Sequence, residues 1–117
     1  MRAAVWHIMF EPEPQTLPSE AAHLGFEVRL ILGPADGPGE ESFDLTVCSP
    51  EWLASRVKRE RFVDGRHHVI VDAESFDEVD LRRWLDQRIS SVEGPTWREV
   101  GEKLARLGFW EFEDHRA

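Results

Sequence analysis

Ser42-Phe43-Asp44-Leu45-Thr46-Val47-Cys48-Ser49-Pro50-Glu51-Trp52-Leu53 changes its period in mid-run. Phe43, Leu45 and Val47 alternate with Asp44, Thr46 and Cys48, the two-residue period of a strand with one dry face. Ser49-Pro50 stops the ladder, because serine caps a helix start and proline fits its first position. Trp52, Leu53 and Val57 then fall along one side of a helix. A strand feeding a helix at this corner determines which face of the sheet is dry.

Upstream, residues 3–10 are apolar at nearly every position and predict a first strand, ended by Glu11-Pro12-Glu13-Pro14. The segment from Gln15 to Leu24 reads as a loop. Phe26, Val28, Leu30 and Leu32 predict a second strand, and the turn-rich run from Gly33 to Glu41 makes it a hairpin with the third. Downstream, Arg66 to Val71 predicts a fourth strand. Ser75-Phe76-Asp77-Glu78 has capping-box spacing, and Leu81, Trp84, Leu85, Ile89 and Val92 form the dry stripe of a helix running to about Ser91. Thr96-Trp97-Arg98-Glu99 opens a third helix, with Trp97, Val100, Leu104 and Leu107 inward and Gly108 placed for a left-handed cap. Phe109 to Asp114 alternates again as a short last strand. The expected fold is α+β: an antiparallel sheet of four or five strands with about three helices packed mainly on one face. No repeat or linker divides residues 1–117, so a single domain is expected.

With 41% hydrophobic residues the chain can bury a core, but no apolar run is long enough to cross a bilayer. The first residues lack the pattern of a secretory signal, and the one cysteine, Cys48, excludes an internal disulfide. A soluble, cytoplasmic protein is the expectation. The net charge is −9, and residues 1–55 alone carry −7, with Arg2 and Arg29 set against nine acids. That sign repels phosphates and argues against a nucleic-acid partner, while favouring a basic protein.

Catalytic patterns are weak. His67 and His68 are adjacent on a strand and point to opposite faces, so they do not chelate one metal, and no paired-ligand spacing occurs elsewhere. No phosphate loop or other cofactor motif is present, since Gly33 to Gly39 is interrupted by prolines and flanked by acids. Cys48 beside a strand histidine would make a nucleophile, but a lone cysteine is more often a small buried hydrophobe. Glu111, Glu113 and Asp114 read more readily as a solvated acidic tail than as a cation site. Most of the five tryptophans fall on dry faces; Trp6 and Trp110 are the candidates for an exposed interface anchor.

Four stretches carry a resemblance. Glu41 to Leu53, in the form F-D-x-x-V-C-(S/T)-P-x-W-L, is followed by Gly65 to Val71, and then by Thr96-Trp97 and Leu107-Gly108-Phe109-Trp110-Glu111-Phe112-Glu113-Asp114. Taken in order from about residue 24 to residue 114, they resemble the immunity protein 8 family of bacterial polymorphic toxin systems. The resemblance implies a non-enzymatic antidote that neutralises a cognate toxin by binding it. An acidic, site-poor domain suits the blockade of a basic cleft such as that of a nuclease. The carboxylates expected to meet the toxin are Glu40, Glu41, Asp44, Glu111, Glu113 and Asp114, with Trp110 as anchor. The hairpin and C-terminal acids share one face only if the last strand pairs near the third. A small enzyme built on Cys48, and an adaptor or structural subunit, are the competing expectations.

Overall fold

In the computed structural model, residues 1–12 and 23–111 are described. The loop expected from Gln15 to Leu24 and the end of the last expected strand therefore lie largely outside the described residues.

Strand β1 (Ala3–Glu11) runs antiparallel to β2 (Gly25–Pro34), which runs antiparallel to β3 (Glu41–Cys48). Phe26, Val28, Leu30 and Leu32 on β2 align with Val47, Leu45, Phe43 and Glu41 on β3, so the alternation of both strands feeds one dry face. Strand β2 continues two residues beyond its expected end, because Gly33 and Pro34 still pair with Ala4 and Ala3. Strand β1 carries a register shift between Val5 and His7. The Trp6 indole there lies against Gly33, where a Cβ would collide with it, and its Nε1 donates to Gly39 O at 3.2 Å.

The corner at Ser49 forms as the sequence predicts. Ser49 is fully buried and its Oγ accepts from Trp52 N at 3.2 Å, starting α1 (Pro50–Glu60). This helix buries no residue completely, however, and Val57 is 41% exposed. The Trp52 indole occupies the space where Gly25 has no Cβ. Since Phe26 points into the core, Gly25 faces the other way, and α1 lies across one end of the opposite face. The helix marks the corner but does not organise the core.

After α1 the chain returns as β4 (His68–Ile70), which pairs with Thr46–Cys48 in parallel. The sheet is thus mixed, mostly antiparallel. The helical crossover explains the difference, because a strand, a helix and a returning strand joined this way lie parallel. Strand β4 is shorter than expected because His67 adopts φ 60°, outside the extended region.

Helix α2 (Glu78–Ser90) and helix α3 (Trp97–Leu104) cover the dry face with Leu81, Leu85, Ile89, Val100 and Leu104. Two sequence expectations need correction here. Ser75 does not cap α2; its Oγ donates to Asp72 Oδ2 at 2.7 Å, and Asp77 is the cap, accepting from Asp80 N. Trp84 does not lie on the dry stripe: it is 46% exposed. The inward positions Leu81, Leu85 and Ile89 recur every four residues, and Trp84 falls about a hundred degrees from Leu85 on the wheel. Thr96 caps α3 as expected, with its Oγ1 accepting from Glu99 N at 3.2 Å.

Strand β5 (Phe109–Trp110) closes the sheet by pairing antiparallel with Phe43 and Asp44. One edge of β3 is therefore shared, with β5 at its start and β4 at its end. Gly108 serves this contact and is not a left-handed cap. A Cβ there would meet Asp44 O at 3.2 Å and Phe43 Cβ at 3.3 Å. Gly108 is needed because the chain passes close to β3.

Candidate functional site

The pairing of β5 with β3 brings the hairpin acids and the start of the C-terminal acids together. Glu111 N donates to Ser42 O at 3.2 Å, and Ser42 N donates back to Glu111 Oε1 at 2.7 Å. Asp44 lies opposite Phe109, on the face away from the core, and holds Arg29 through two bonds of 2.9 and 3.1 Å. That carboxylate raises the Arg29 pKa, first through the hydrogen bond and then through charge, and Glu111 adds to the effect. Glu40 is exposed just before the strand. Glu113 and Asp114 lie outside the described residues.

Two of the expected contact residues are engaged inside the fold. Trp110 is only 4% exposed; its ring stacks on Phe43 at 5.8 Å between centroids with the planes 5° apart. It also rests on Gly101, where a Cβ would come within 2.7 Å of Cζ2. As an exposed anchor Trp110 is therefore a wrong expectation: alternation turns Phe109 outward, 48% exposed, and Trp110 into the core. Glu41 Oε2 accepts from Trp110 Nε1 and from Trp97 Nε1, each at 2.8 Å. This carboxylate answers two donors that would otherwise lose water without a partner. Among the four described acids of the expected set, Glu40 and Glu111 carry exposed charge, Asp44 is paired with Arg29, and Glu41 has a structural role.

The cysteine and histidines are arranged for packing. Cys48 is fully buried, and burial pushes its thiol pKa up, with nearby Arg56 opposing and Glu27 reinforcing the shift. A nucleophile needs the opposite, a lowered pKa and an open approach. Ile70, not a histidine, lies beside Cys48 in the ladder. His67 Nε2 lies 2.7 Å from Ala105 O, and its ring meets Phe109 edge-on at 6.1 Å. His68 Nδ1 lies 2.8 Å from Arg66 O. Among the described residues, no group of three His, Cys, Asp or Glu side chains is arranged to hold a metal ion. Among the described residues, no helix is long and apolar enough to cross a membrane.

The model of the family described as Immunity protein 8 matches residues 6–115. The chain belongs to the Immunity protein 8 family. The family match begins well before residue 24, so most of β1 and all of the other strands fall within the matched region. No curated protein and no solved structure matches the chain. In this Immunity protein 8 domain the quoted motifs have structural duties that distance along the chain conceals. Phe43 stacks on Trp110, Ser49 caps α1, and the paired Thr96-Trp97 supplies both a helix cap and one indole on Glu41.

Sequence reasoning missed one surface. Between β4 and α2 runs an open groove of about 350 Å³, with Val69, Val71, Phe76 and the exposed Trp84 as its apolar lining and Asp72, Asp77 and Asp80 among its acids. The available signal was the run of acids around Trp84, at Asp72, Asp77, Asp80 and Asp86, but the helical stripe made that tryptophan look buried.

Proposed function

We propose that this Immunity protein 8 domain binds a cognate bacterial polymorphic toxin in the cytoplasm and neutralises it by covering a basic, active-site surface, without chemistry of its own. A nuclease cleft is the fitting target class, since a cleft shaped for phosphate attracts carboxylates. The observation that carries the reading is the exposed pair Glu40 and Glu111, drawn to the same edge by the β3–β5 pairing, on a chain of net charge −9. Asp44 lies alongside and Glu113 and Asp114 follow in sequence. Glu41 and Trp110 act behind this surface by holding β5 in place.

The test is co-expression with the toxin domain encoded by the neighbouring gene. Protection of the cells and co-purification of the two domains are expected. The Glu40→Lys/Glu111→Lys variant should associate about tenfold more slowly at low salt, the difference shrinking as salt rises. Absence of binding to that domain, or turnover of a substrate by the purified chain alone, would refute the proposal.

A further inference from the structure

The groove between β4 and α2 has the parts of a receptor for an extended peptide. Strand β4 ends the sheet order on its side. Thr46 N donates to His67 O and Val71 N donates to Cys48 O, so the ladder with β3 uses the odd-numbered residues of this stretch. By the two-residue period, the N–H and C=O of Ile70 point to the open edge, where no described residue pairs with them. Ile70 is 48% exposed and Trp84 46% exposed, and both line the groove.

Charge selects the occupant. Asp72, Asp77 and Asp80 line the groove; Asp72 accepts from Ser75, and Asp77 accepts from a backbone N–H at the start of α2. Asp80 has an exposed ion pair with Arg83, whose Nη1 stands 3.7 Å away. Arg82 is occupied elsewhere, bonded to Glu78 and stacked over Phe10 at 4.5 Å. A second copy of a chain with net charge −9 meets this groove with the wrong sign. Residues 13–22 and 112–117 of the chain itself are also net acidic.

We infer that the groove between β4 and α2 receives an extended, arginine- or lysine-bearing segment of the toxin, adding a strand at Ile70 and placing a basic side chain between Trp84 and the three aspartates. The aliphatic stem of such a side chain lies on the indole and the apolar floor, while its cationic head meets Asp72, Asp77 and Asp80. Backbone bonds at Ile70 supply affinity, and the pocket supplies the preference for a basic residue. That the occupant belongs to the toxin rests on the inhibitor reading; the chemistry of the groove does not.

Two measurements separate the two ideas. The first titrates the labelled protein with an acetylated hexapeptide alternating arginine and valine, and with its glutamate-for-arginine counterpart, following backbone amides and indole N–H signals. Shifts centred on Ile70 and the Trp84 indole, seen with the basic peptide and lost in Asp72→Asn/Asp80→Asn, support the groove. No shifts, or shifts centred on Glu40 and Glu111, overturn it. The second measures toxin-domain binding by Trp84→Ala, a change at an exposed site, with circular dichroism as the control that the variant is folded. A loss of about thirtyfold, typical of an anchor residue, is expected. Unchanged toxin affinity in this variant removes the groove and leaves the inhibitor reading standing. Peptide binding at the groove without any toxin binding removes the inhibitor reading instead.

Discussion

Glu41 Oε2 accepts the indole N–H of Trp110, sixty-nine residues away in the chain, at 2.8 Å, and the Trp97 indole donates to the same atom at the same distance. One carboxylate oxygen thereby ties the start of β3 to the first turn of α3 and to β5. It adds to the burial of Val100 and Leu104 on α3, which has eight residues, and to the pairing and ring stacking that hold the two-residue β5.

Removing that oxygen leaves two donors unanswered, one on a buried ring. Glu41→Ala is expected to destabilise the fold by about 2–4 kcal/mol, the cost of two unsatisfied donors. Glu41→Gln keeps an acceptor oxygen and should cost less than half as much. Urea unfolding followed by tryptophan emission reads both values. Equal losses for the two variants would mean that charge, not acceptance, is what Glu41 provides.

Gly101 presents a choice of sign. In a helix interior, alanine is ordinarily favoured over glycine by about 1 kcal/mol. Here the added methyl would stand 2.7 Å from Trp110 Cζ2 and 2.8 Å from Cη2, inside the fully packed core. Gly101→Ala should therefore destabilise, by about 1–3 kcal/mol as for other overpacked sites. Gly65, where a Cβ meets nothing within 4 Å, is the control: Gly65→Ala should change the midpoint little. A stabilised Gly101→Ala would show that the Trp110 ring can shift freely.

How far these features were legible in the sequence depends on whether their causes are local. The alternation of Phe43, Leu45 and Val47 and the caps at Ser49 and Thr96 involve neighbours within a few residues, and all appear as read. The parallel course of β4 depends on where a helix returns the chain, which strand periodicity does not record. Gly108 has the composition of a cap but answers a close approach to Phe43 and Asp44 on β3, a strand distant in sequence. The acids at 40–44 and 111 could be named but not ranked, because the partners that occupy Glu41 and Asp44 come from α3, β5 and β2. Trp84 was misplaced since a single helical wheel has no way to show how wide the covered face is.

Cys48 gives a pH-dependent expectation. Its folded pKa is raised by burial, so the folded state holds the thiol proton more firmly than the unfolded chain does. Its contribution to stability is complete below the unfolded value, about 8.5, and is lost as pH rises through the higher folded value. The unfolding midpoint of the native protein should fall above about pH 8.5 more steeply than that of Cys48→Ala. Native Cys48 should also resist alkylation by iodoacetamide until denaturant is added. Rapid labelling at neutral pH would show an open, activated thiol.

Arg29 and Asp44 form an exposed pair, with side chains 57% and 41% accessible, so the bond between them contributes little to folding. Its larger effect is on the field of the surface, since Arg29 cancels the charge of Asp44 beside Glu111. Arg29→Ala is expected to leave the unfolding midpoint almost unchanged while exposing an additional negative charge on that edge. If a basic toxin surface approaches there, the variant should associate severalfold faster at low salt, with a dissociation rate close to the parent's. Arg29→Lys retains the charge and should associate as the parent does. A slower rate for Arg29→Ala would mean that the guanidinium itself touches the toxin, which would move the contact toward Met9 and Glu27 on the same side of the sheet.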